Sequence, residues 1–437
     1  MPRGRVARVA GLVVAVGMLA SCTAEPGASP AGTGTGPGAA GAAAAGPCSA
    51  SPASAGGGVR MPMLPQPGSM VVSYQLSGVA AMSAGSVWAV GTTDSTDPRA
   101  MHWNGRTWTE QALPLSPGQP GNPPGTFQAV AEVSAGDVWA VGGTTGNPLA
   151  EHWDGTAWTV IPTPSPSPRV TSTSLQGIAA VSARDIWAVG GSGQPLILHW
   201  DGRAWTQVPG PAPAGADTGL YGVAAVSAVS VWAVGNTWPI GGTQAPLIEH
   251  WNGTAWTAVP GPAIPDGAIL TAVAASSPRN AWAVGTKGTR TGGDDAGSGL
   301  IEHWDGRTWT IVPSPDLGAG ADGGGLHGGG GLNAVTIAPD GSAWAVGEAY
   351  CPRHGILTVT EHWDGRTWVL VPSPAYGELD AVAAASPTSA WAVGYWSSSS
   401  TAIIEHWNGT AWTWPSGFCA APSGPGCYLP STDSSSP

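Results

Sequence analysis

The chain has 437 residues, among them 67 glycines, 42 prolines and 24 tryptophans, with 15 Lys and Arg against 27 Asp and Glu for a formal charge of −12. Lys287 is the sole lysine. A polyanionic partner needs clustered cations, so the composition argues against nucleic-acid binding.

Arg3, Arg5 and Arg8 precede an apolar run from Val9 to Ala20, and "LASC" closes it at Cys22. A basic start, an apolar stretch too short to cross a bilayer and small residues at its end predict a signal peptide over residues 1–21. The Leu-Ala-Ser-Cys ending resembles the bacterial lipobox. That resemblance implies cleavage before Cys22, a diacylglycerol on its sulfur, and a lipid-anchored place on the extracytoplasmic face of the cell membrane. Losing the three arginines takes the charge from −12 to −15. Residues 22–60 are mostly Ala, Gly, Pro, Ser and Thr, too poor in apolar bulk to fold, and are expected to form a tether. Export permits disulfides. Beyond Cys22, four cysteines (Cys48, Cys351, Cys419 and Cys427) allow three pairings. Cys419 with Cys427 is the local option, inside a tail over residues 418–437; the pairing of Cys48 and Cys351 stays open.

Residues 61–417 are dominated by one unit repeated seven times. "WAVG" recurs with its Trp at 88, 139, 187, 232, 282, 344 and 391. His-Trp followed by Asp-Gly or Asn-Gly recurs with its His at 102, 152, 199, 250, 303, 362 and 406, and a further Trp follows each at 108, 158, 205, 256, 309, 368 and 412. Within each unit, four short apolar runs are separated by turn-forming residues, as in 270–275, 281–285, 300–304 and 308–312. Asp-Gly and Asn-Gly between such runs signal hairpins. Each unit is therefore expected to be a four-stranded antiparallel meander, strands a to d. Most runs are apolar throughout, as sheets covered on both faces require. The fold class is all-β, a seven-bladed β-propeller.

Strand parity places Trp304 and Trp309 on one face of the c–d hairpin and His303 on the other. Seven equivalent imidazoles around a ring cannot each have the single tuned partner that catalysis needs. The histidines are expected to be structural, and the same holds for the "NGT" segments at Asn252 and Asn408, read as hairpin turns. "GAGADG" at residues 318–323 fits a dinucleotide loop but opens no helix. Asp294 and Asp295 lack the rest of a calcium cage. No cofactor or metal is expected.

The units resemble the kelch and galactose-oxidase-like propellers in "VWAVGG" at residues 138–143, "IWAVGG" at residues 186–191 and the strand-d Trp. The resemblance covers roughly residues 70–415. It implies the fold and carries over no active site.

Spacing then locates the working face. From a strand-a Val or Ile to the "WAVG" Trp is nine residues in every unit, and from the "HW" Trp to the next Trp is five. The b–c connection instead runs 15, 14, 13, 19, 22, 19 and 16 residues from Trp to Trp, and the d–a connection also varies. In a meander these two connections share one face of the disc, where recognition is expected. The candidate residues there are Trp238, Tyr350, Arg353, His354, Tyr395 and Trp396. Blades six and seven are expected to contribute most. Two functions are compatible with this. One is a monomeric, non-enzymatic module binding an extracellular protein or cell-wall glycan. The other is a propeller enzyme of glycosidase, lyase or oxidase type. A sialidase-like site needs three convergent arginines, yet that face offers only Arg99, Arg290 and Arg353 in b–c loops and Arg169 in a d–a loop. A galactose-oxidase-like copper site needs a Tyr pair and two histidines, and only His327 and His354 lie outside the repeat. The binding module is the preferred reading.

Overall fold

The protein is described from a computed structural model that covers residues 74–415, apart from 94–96, 115–124, 145, 165, 167–171, 212–214, 240, 289–296, 316–329, 352–354 and 397–400. Cys22, Cys48, Cys419 and Cys427 lie outside the described residues, as do Asp294, Asp295 and His327. Among the described residues there are 28 strands and no helix. They form seven four-stranded antiparallel sheets, each in sequence order from inner to outer strand. The blades span Tyr74–Glu110, Gly125–Val160, Ser172–Gln207, Ala216–Ala258, Ala268–Ile311, Gly330–Leu370 and Glu378–Thr413. In blade five, strands a to d are Ala268–Ser277, Asn280–Lys287, Ser298–Trp304 and Trp309–Ile311.

The tryptophan repeat is the cement between blades. Trp304 pairs directly with Trp309 across a four-residue turn, and His303 pairs with Thr310, as parity requires. Each "WAVG" Trp is at most 2% exposed and projects onto the next blade. There it meets the strand-d Trp edge to face, as in Trp232 against Trp309 at 5.2 Å and 90°, and Trp344 against Trp412 at 5.0 Å and 79°. Such T-shaped pairs add to the gain from area burial. The same "WAVG" Trp lies against the histidine of its own blade, for example Trp88 on His102 at 4.5 Å.

Six of these histidines lie within hydrogen-bond reach of the side chain that opens strand b, whereas in blade six that strand opens with Ala343, which offers His362 no such partner. His152 Nε2 lies 2.9 Å from Asp137 Oδ1, and His303 Nε2 lies 2.7 Å from Asn280 Oδ1. Burial holds the imidazoles of His102, His250, His303, His362 and His406 below the ordinary histidine range. The "HW" Trp has its own anchor: Trp304 Nε1 donates to the Pro278 carbonyl, and Trp251 Nε1 to that of Ala228, so strand c clips the a–b turn. The motif is architecture in every blade.

Among the described residues the ring closes without exchange of a strand. Blade seven packs on blade one through Trp391 against Trp103 at 5.3 Å and Trp108 at 5.4 Å, with Leu76, Val79, Val393 and Ile404 around them. The closing seam is built like the other six.

Candidate binding site

The glycine of "WAVG" shows how the site is made. A Cβ on Gly285 would fall on the Ile269 carbonyl and lie 2.9 Å from the Leu270 Cα, because strand a crosses tightly there. The same conflict recurs at Gly91, Gly142, Gly190, Gly235, Gly347 and Gly394. Opposite each of these glycines strand a carries a bulge, so one residue has no partner on strand b. The bulged residues are Ser77, Gln128, Gln176, Tyr221, Thr271, Asn333 and Asp380. Each is preceded by a buried Leu or Phe and followed by Gly or Ala. The small residue is required because the next blade's inner strand passes close by: a Cβ on Gly222 would lie 2.8 Å from the Ala272 Cα.

Strand a is the innermost strand, and the bulge lies in its first half, toward the face of the b–c and d–a connections. All seven bulged residues are half-buried, and they form a polar ring at that mouth of the central axis. Three reach the backbone of the next inner strand. Ser77 Oγ donates to the Phe127 carbonyl at 2.8 Å, Thr271 Oγ1 to Leu332 at 2.7 Å and Asn333 Nδ2 to Leu379 at 3.2 Å. Among the described residues Gln176, Tyr221 and Asp380 make no side-chain hydrogen bond.

The ring has two unlike walls. Blades six and seven are acidic. Asn333 Nδ2 donates to Glu348 Oε2 at 2.6 Å, and the Tyr395 hydroxyl donates to Glu378 Oε2 at 2.7 Å. Burial, followed by the charges of Glu378 and Glu348, pushes Asp380 up to about 7. Burial also pushes Glu348 up to about 7, against the opposing effect of its bond from Asn333. Tyr395 is raised as well, first by burial and then by its bond to Glu378. Blade four is aromatic. Trp238 pairs with Asp217 at the end of the a–b ladder and is 36% exposed. A Cβ on Gly219 would lie 3.4 Å from Trp238 Cζ3 and 3.5 Å from the Tyr221 hydroxyl, so the bare backbone of Gly219 has both rings beside it.

Of the residues singled out in the sequence, Tyr395 lies in the acidic wall and Trp238 in the aromatic one. Tyr350 pairs with Ile356 in the b–c hairpin of blade six and is 49% exposed. Trp396 ends strand b of blade seven, half-buried and paired with Thr401. Arg353 and His354 lie outside the described residues. Arg99, expected in a b–c loop, instead sits within strand c opposite Gly91 and donates to Glu110 Oε1 at 2.8 Å. Its guanidinium is held by its own blade because the first b–c connection is short enough for both strands to extend past it. Among the described residues no group of three His, Cys, Asp or Glu has the geometry to hold a metal ion. Sequence reasoning missed Asp380, Tyr221 and the whole bulge ring. The available signal was the strand-a position that takes six residue types in seven blades between near-constant neighbours.

No family model matches the chain, and no curated protein matches it significantly. Solved structures do resemble it. YCF48 from Cyanidioschyzon merolae is 15% identical with a TM-score of 0.50, covering 77% of this chain and 97% of that one. YCF48 bound to D1 peptide is also 15% identical, with a TM-score of 0.49 over 77% of this chain and 92% of its own. The GH74 xyloglucanase from Xanthomonas campestris is 16% identical with a TM-score of 0.52, covering 79% of this chain and 55% of the enzyme. At such identities the likeness is one of fold: the chain is an all-β propeller of seven four-stranded blades.

Proposed function

We propose that the protein is a surface-anchored, non-enzymatic recognition module that holds a segment of an extracellular protein at the loop-face mouth of its axis. The observation that carries this is the bulge ring. An invariant glycine in every "WAVG" creates the same backbone defect seven times, and the side chain presented there differs from blade to blade. A fixed scaffold displaying varied polar groups is the arrangement of a binding surface. The acidic wall of Glu348, Glu378 and Asp380 suits a lysine or arginine side chain. Trp238 and Tyr221, with Tyr350 farther out on the rim, offer amphipathic rings of the kind that dominate binding energy. In this reading Cys22 carries the lipid, residues 22–60 form the leash, Arg353 and His354 join Tyr350 at the rim, and a Cys419–Cys427 bridge closes the tail. The kelch-like kinship of the repeat belongs to the same reading and rests on residues 138–143 and 186–191.

The reading is tested by probing the full-length protein with arrays of peptides from surface proteins and of cell-wall glycans. Peptides with basic residues should be retained, and Asp380→Asn should release them. Retention of glycans alone would refute a protein partner. A second reading has one observation in its favour: Asp380 and Glu348, both pushed up to about 7 beside Glu378, resemble the acid partner of a polysaccharide-cleaving pair. Release of new reducing ends from a cell-wall polymer, lost in Asp380→Asn, would establish it instead.

A further inference from the structure

Five blades carry a glutamate two residues before the strand-c Trp: Glu151, Glu249, Glu302, Glu361 and Glu405. All five are 0% exposed. Strand parity puts each on the face of its Trp, toward the preceding blade and beneath the d–a connection. Contacts agree. Ser314 Oγ, from the connection leaving blade five, donates to Glu361 Oε1 at 2.8 Å, and Ser373 Oγ, leaving blade six, donates to Glu405 Oε1 at 2.8 Å. In two other seams the residue at the serine position is glycine: a Cβ on Gly210 would lie 3.4 Å from Glu249 Oε2, and one on Gly261 would lie 3.5 Å from Glu302 Oε2. There the hydroxyl is missing, and among the described residues both carboxyl oxygens of Glu249 and of Glu302 lack a hydrogen-bond partner, as do those of Glu151.

Among the described residues no titratable or charged side chain acts on any of the five from its own strand or from the neighbouring blade; the motif histidine lies on the opposite face of strand c. The Cβ position of Gly210 that approaches Glu249 also lies against Ile197 and Pro195, and that of Gly261 beside Glu302 also lies against Ile248. A buried, unpaired carboxylate is costly, whereas its neutral form can remain.

We infer that the seam glutamates act as a proton-dependent clasp: the ring closes on neutral carboxyls, and their ionisation draws water into the seams under the loop face and slackens it. This holds whatever the ligand is. Burial pushes Glu151, Glu249 and Glu361 up to about 8, and Glu302 and Glu405 up to about 7. Their folded values stand above the unfolded 4.5, so the stability they contribute is complete below 4.5 and is lost as pH rises through 7 to 8. The histidines held low by burial act in the opposite sense at and below their ordinary value of 6.5, and Asp380 and Glu348 titrate in the same window as the glutamates. Comparison between variants therefore isolates the clasp.

Thermal unfolding of the full-length protein at about pH 6.5 and about pH 8.5 provides the test. The wild type should melt at a lower temperature at the higher pH. The triple variant Glu151→Gln, Glu249→Gln, Glu302→Gln should lose most of that difference. Should the triple variant not fold, Glu302→Gln alone should lose part of it. Gly261→Ser, which gives Glu302 the hydroxyl that Ser314 gives Glu361, should raise the melting temperature more at the higher pH than at the lower. A wild-type melting temperature that is flat or rising over this range overturns the proposal, as does an undiminished difference in the glutamine variants.

Discussion

The two mouths of the propeller axis are made by the same device and filled differently. At the loop face a bulge in each of the seven inner strands presents Ser77, Gln128, Gln176, Tyr221, Thr271, Asn333 and Asp380. Near the a–b turns a second bulge in six of the seven presents Met82, Val133, Val181, Val226, Ser276 and Ala385. Blade six lacks it and reaches the same spacing with a longer turn, in which the Ala338 amide bonds the Ser342 carbonyl. The lower set is mostly apolar, and its Val133 packs into the seam between blades two and three; the upper is polar and carries the acidic and aromatic walls. Backbone geometry alone thus does not make a site. What separates the ends is the freedom of one side chain per blade, and that freedom is used at the end where the connecting loops also vary.

The comparison breaks most completely if the Trp belt between the mouths is removed. Trp187→Ala leaves Trp251 and Trp256 of the next blade without their partner and should cost about 3–5 kcal/mol, read by denaturant unfolding, with both mouths disturbed. Gly285→Ala strikes only the upper bulge of blade five. Its Cβ meets backbone rather than a movable side chain, so a loss of about 1–3 kcal/mol is expected, together with the Thr271 bond to Leu332. Met82→Gln, at an exposed position of the lower mouth, should change stability by no more than about 0.5 kcal/mol and leave peptide retention intact. A Met82→Gln effect on retention as large as that of an upper-ring substitution would erase the distinction between the two ends.

Much of the scaffold was legible in the sequence because its causes are periodic. A fixed Trp-to-Trp spacing of five and strand parity together place Trp304, Trp309 and His303, and turn-forming pairs such as Asp305-Gly306 mark the hairpins. Which face carries the variable connections follows from their unequal lengths. The site within that face was less legible. A bulge leaves no mark in a run such as Leu379-Asp380-Ala381, and only comparison of the seven strands position by position exposes it. The seam position of Glu302 was not read from the sequence, and its lack of a hydroxyl partner depends on Gly261, an approach from another blade that no local pattern encodes. Closure of the ring by Trp391 on Trp108 is equally non-local.

The proposed recognition at the upper mouth depends on its acidic wall. The most direct measurement is retention of a randomised peptide library on full-length wild type and on Asp380→Asn, at about pH 6 and about pH 8. Asp380 and Glu348 are held near 7, so their negative charge is present above that pH and is lost as pH falls below it. The wild type should enrich lysine- and arginine-bearing peptides more strongly at the higher pH, and Asp380→Asn should lose both the enrichment and most of its pH dependence. Equal enrichment by wild type and Asp380→Asn at both pH values would contradict the account.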